Sequence, residues 1–110
     1  MVAADAIRAL CLALPEVNEL DHHGAPSFRV GGKIFCTLRA DPPRMMVKLD
    51  AEYQHNLVSA HPGVVEAVPG YWGRKGSTFI DLASVSETLA GVLLRMAWSR
   101  AAPLRLVRGP

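Results

Sequence analysis

Two alternating runs, Ser27-Phe28-Arg29-Val30 and Lys33-Ile34-Phe35-Cys36-Thr37-Leu38, flank the glycine pair Gly31-Gly32 and leave this stretch little choice but a β-hairpin. Phe28 and Val30 share one face of the first strand, and Ile34, Cys36 and Leu38 share one face of the second. Bringing both sets onto one side of a sheet requires paired residues to sum to an even number, such as Val30 opposite Ile34. This predicts a three-residue turn, Gly31-Gly32-Lys33, with a glycine in the left-handed region. A third strand near 44–49 follows a turn at Asp41-Pro42-Pro43, and its Met45, Val47 and Leu49 join the same face. The opposite face then collects Ser27, Arg29, Phe35, Thr37, Arg39, Arg44, Met46 and Lys48, of which four are basic and none acidic.

The remaining elements follow from periodicity and caps. Ile7, Leu10, Cys11 and Leu14 recur at helical spacing, predicting a helix over 4–14 that Pro15 ends. Asp50 caps a helix through Ala60, stopped by His61-Pro62-Gly63. Short strands are expected at 64–68 and 77–82. Ser84-Val85-Ser86-Glu87 has capping-box spacing, so a last helix runs from about 85 to 101 with Leu89, Val92, Leu93, Met96 and Ala97 buried. A second apolar stripe, Ala90, Leu94, Ala97, Trp98 and Ala101, is left for a partner or a twin subunit, with Leu94 and Trp98 as its interface residues. Residues 104–110 read as a frayed tail. The 110 residues, half of them hydrophobic, make one α+β domain, a two-layer sandwich of an antiparallel five-stranded sheet with helices on one face, in the order α-β-β-β-α-β-β-α.

With the hairpin, the motifs Leu14-Pro15-Glu16-Val17, His61-Pro62-Gly63-Val64, and Ala97-Trp98 followed by Ala102-Pro103 give nearly the whole chain a resemblance to the MmcQ/YjbR family of small bacterial proteins. The resemblance implies a paired-wing α+β fold, related to frataxin-type proteins and secretion chaperones, and a DNA-binding role inferred from that shape. A cytoplasmic bacterial protein is therefore expected, since no segment approaches the apolar length of a membrane span.

Charge distribution says more than the net +2. Residues 1–28 set Arg8 against Asp5, Glu16, Glu19 and Asp21, whereas 29–75 set seven cations against four carboxylates, or +3 against −3. The expected nucleic-acid contacts are Arg29, Lys33, Arg39, Arg44, Lys48, Arg74 and Lys75 to phosphates, with Phe35 and Trp72 as stacking or wedge groups. Tyr71-Trp72-Gly73-Arg74-Lys75-Gly76 forms the second basic loop, in which Trp72 either plugs the core or reaches solvent. Weak binding to DNA with little base readout is the most this pattern supports.

Catalysis finds no support: no serine or cysteine stands beside a base in any motif, and one glycine pair is not a phosphate loop. His22-His23 would point to opposite strand faces, and His55 and His61 lack neighbouring ligands, so no metal is expected. Iron would need a carboxylate ridge that the scattered Asp5, Glu16, Glu19 and Asp21 do not form. Cys11 and Cys36 read as reduced core thiols. No cofactor, small-molecule substrate or membrane partner is expected.

Overall fold

In the computed structural model, which describes residues 1–108, Ile7 and Cys11 lie one turn apart and seal the first helix, α1 (Ala4–Leu12), into the core. The chain then forms β1 (Asn18–His22), β2 (Ala25–Val30), β3 (Lys33–Ala40), β4 (Pro43–Lys48), α2 (Ala51–Ala60), β5 (Val65–Ala67), α3 (Tyr71–Arg74), β6 (Ser77–Asp81), α4 (Glu87–Ala101) and α5 (Leu104–Arg108). All neighbouring strands are antiparallel, in the order β1-β2-β3-β4-β6-β5.

The sheet has six strands rather than the expected five. The extra one, β1, is exposed at all five residues. A wet edge strand needs no apolar alternation, and Asn18-Glu19-Leu20-Asp21-His22 shows none.

The hairpin forms, but not through the expected turn. Val30 pairs with Lys33, so the turn is the two-residue Gly31-Gly32, with φ at 59° and 78°, the backbone that matches strand twist. The register then shifts between Phe28 and Arg29: Arg29 faces Ile34, while Phe28 faces Cys36. This bulge restores the parity that places Phe28, Cys36 and Leu38 on the core side. Phe35 is the residue it leaves unpaired, and it lies fully buried in the core cluster.

On that side Met45, Val47 and Ile80 continue the layer, and α4 packs across β2, β3 and β4, with α1 against α4 and α2 against β5. Asp50 caps α2 as expected, accepting from Glu52 N and Tyr53 N. The cap of α4 is Ser86, whose hydroxyl accepts from Leu89 N at 3.1 Å, while the Ser84 hydroxyl donates to Asp81 at 2.6 Å. The helix is accordingly turned from its predicted face. Ala90, Leu93, Leu94, Ala97 and Trp98 are buried, whereas Val92 is 47% exposed. Leu94 and Trp98 belong to the core, with Trp98 Nε1 donating to Pro15 O at 3.0 Å, so the apolar stripe expected for a partner is covered from within.

The expected tail is structured through residue 108, and 109–110 lie outside the described residues. Arg105 of α5 grips Glu16 through two 2.8 Å hydrogen bonds, an arrangement that no local signal at 104–108 announces.

Candidate nucleic-acid interface

The outer sheet face is set by register. Leu20, Ser27, Thr37, Met46, Phe79 and Glu66 form one row across all six strands. The expected cations flank this row at opposite ends. Arg29, Lys33 and Lys48 gather at the β2–β3 turn, while Arg39 and Arg44 pair at the β3–β4 turn, where Asp81 stands opposite Arg44. A face counted over three strands is free of acid; over six it is not.

The cationic end is the stronger cluster. Arg29, Lys33 and Lys48 line a pocket of about 420 Å³ together with Ile34 and the last turn of α4, which adds Arg100. Among the described residues, four cations and no carboxylate surround this space. Among the described residues the ion pairs are Arg8 with Asp5 and Glu19, and Arg105 with Glu16, so none of the pocket's charges is neutralised internally. The pocket is shaped by a close approach: a Cβ on Gly31 would lie 3.2 Å from Pro103, just beyond α4. Arg100 escaped sequence reasoning because its role depends on where the end of α4 docks.

The aromatic loop belongs to this same end of the sheet. Lys48 pairs with Ser77, and Leu49 N donates to Gly76 O at 2.9 Å, so the loop begins where β4 ends. Trp72 is 63% exposed and Tyr71 55%, their rings meet edge to face with centroids 5.2 Å apart, and Lys75 Nζ lies 5.6 Å from the Tyr71 ring. Trp72 therefore does not plug the core.

The loop is pinned from below. The amide nitrogen of buried Gln54 lies 2.9–3.0 Å from Gly73 O, Ser77 O and Thr78 Oγ1 and shares its two hydrogens among them. A Cβ on Gly73 would fall 1.6 Å from Val68 O, and one on Gly76 1.8 Å from Leu49 O. Sequence reasoning missed Gln54, although its signal is visible: it shares the helical face of Leu57 and Val58. Two large aromatics are thus held rigidly in solvent beside Arg74 and Lys75, a costly surface for a protein that meets only water.

Phe35, expected among these contacts, is withdrawn by the bulge and offers no ring to a ligand. His22 and His23 are not split across a strand, since His23 sits in the turn at φ 53° and the rings meet at 4.4 Å. Among the described residues no group of three or more His, Cys, Asp and Glu could hold a metal. Burial pushes the Cys36 thiol well up, helped by the neighbouring Cys11 thiol, which keeps it protonated. No helix among the described residues is long and apolar enough to cross a membrane.

A model of the YjbR family matches residues 12–100. Among solved structures, the crystal structure of the Deinococcus radiodurans protein DR2400, of the domain family DUF419, is similar with a TM-score of 0.78 at 28% identity, over 91% of this chain and 78% of that one. No curated protein matches.

Proposed function

The chain belongs to the YjbR family, and from that premise we propose that it is a non-catalytic nucleic-acid-binding protein holding phosphates at the cationic end of its sheet. The observation that carries this reading is the pocket of Arg29, Lys33, Lys48 and Arg100, in which four cations converge with no carboxylate among the described residues. Charges of one sign crowded without partners are stabilised by an anion from outside, and a phosphate backbone supplies anions at regular spacing. Trp72 and Tyr71, on the pinned loop at the same end of the sheet, offer rings to an unpaired base, with Arg74 and Lys75 alongside.

Neither the hairpin tip nor the loop carries a reading element such as a helix presenting Asn, Gln and Arg in series, so the contacts at this end of the sheet are general rather than base-selective. The expected range is about 10⁻⁴–10⁻⁶ M at physiological salt. Charge reversal tests the reading. Lys48→Glu with Arg100→Glu should weaken binding of a labelled oligonucleotide at least tenfold, whereas Arg39→Glu, at the opposite end, should cost far less; equal losses from both, or none from either, would reject the pocket as the phosphate site.

A further inference from the structure

At the other end of β4, four residues and about 13 Å from Lys48, Arg44 covers the ring of Phe79, its guanidinium carbon 3.8 Å from the centroid. The two line a cavity of about 260 Å³ with Pro42, Pro43, Glu66 and Asp81. Pockets that bury drug-sized ligands span about 300–1,000 Å³, so this smaller space suits a single ring system. We propose that it receives one unpaired guanine base, an inference that rests on the nucleic-acid reading and names what a bound strand would present there.

The hydrogen-bonding inventory selects the ligand. Among the described residues Arg44 makes no ion pair, and its Nε is buried without a partner. Its neighbour in register is Asp81, whose carboxylate is turned to Ser84 Oγ at 2.6 Å and Ala83 N at 3.2 Å and makes no ion pair with Arg44. A guanidinium with no carboxylate partner keeps its terminal N–H donors for an acceptor in the cavity it lines. Glu66, directly opposite Phe79 and exposed, holds a carboxylate with no ion pair among the described residues.

Two carboxylates oppose an anion in the cavity, and Arg44 opposes a cation. A flat, neutral ring bearing an acceptor beside donors satisfies both. Guanine presents O6 to an arginine, and its adjacent N1–H and N2–H can both reach one carboxylate. The prolines supply stacking surface, and Arg44, held flat on the phenyl ring, presents its N–H edge to the base. Such a base must leave its stack to enter, so the cavity favours single strands over duplex.

The test uses a probe without phosphate. In a ¹⁵N-resolved NMR titration of the whole chain, guanosine should move the amides of Gly63, Val64, Glu66 and Phe79, and uridine should not. Arg44→Ala and Glu66→Gln should each weaken the guanosine response about tenfold; Glu66 is exposed, so its variant tests the cavity without risk to the fold. Amides unmoved by guanosine, or moved equally by uridine, would overturn the proposal. Because guanosine carries no phosphate, that result would leave the cationic pocket to its own test.

Discussion

Gln54 holds three acceptors beneath the Tyr71–Lys75 loop, so Gln54→Ala should cost about 1–3 kcal/mol, the penalty for leaving buried polar groups unpaired. Urea denaturation reads the loss, and rising mobility of Trp72 fluorescence should accompany it. Gly76→Ala should cost about 3 kcal/mol or more, because its φ of 109° and the Leu49 carbonyl both exclude a methyl group. Glu16 makes a different kind of prediction. Its hydrogen bonds from Arg105 hold its carboxyl below the ordinary 4.5. A carboxylate whose pKa falls on folding contributes stability above its unfolded pKa, and that contribution is lost as pH drops through the folded value. The contact that anchors α5 should therefore persist at neutral pH and loosen in acid below 4.5, while Glu16→Gln should loosen it at every pH. Methyl shifts of Leu104 and Val107 followed from pH 6 to 3 would show this, and shifts that ignore pH would refute it. This pair was invisible in the sequence, since 89 residues separate its members.

Elements were legible wherever local chemistry and burial agree. Asp50 before Ala51–Ala60 is such a place, since a cap is fixed by neighbouring residues, and the glycine pair between β2 and β3 marked the hairpin although not its turn length. The alternation also foretold that Phe28, Cys36 and Leu38 share the core face. What it could not foretell was the means, because a two-residue turn with a bulge and a three-residue turn restore the same parity. The difference decides Phe35. The face of α4 was misread for a related reason: apolar residues lie on most of its circumference, so periodicity alone leaves its rotation undetermined. The structure makes the choice testable. Leu94→Ala should cost about 2–5 kcal/mol and Trp98→Ala about 3–5, as buried truncations do. Val92→Asp should stay within about 0.5 kcal/mol. Guanidinium melts of the three variants would separate these faces, and a costly Val92→Asp beside a silent Leu94→Ala would reverse the assignment.

For the molecule as a whole, the segregation of charge was readable as the contrast between residues 1–28 and 29–75, with Arg29 and Lys33 on the hairpin and Lys48 at the end of β4. The division of the sheet into a cationic end and a mixed end was not readable, because it depends on β6 bringing Asp81 beside Arg44 and on α4 delivering Arg100. Binding through that end should be electrostatic, salt-sensitive and weakly selective. Four phosphate contacts on duplex DNA correspond to a log–log salt slope of about −3 to −4. The measurement that bears most directly on this account is the fluorescence anisotropy of labelled duplex and single-stranded DNA with the unmodified protein across a salt series. A slope in that range, with the single strand bound at least as tightly as the duplex, is the predicted result; anisotropy that stays flat even at low salt would contradict it.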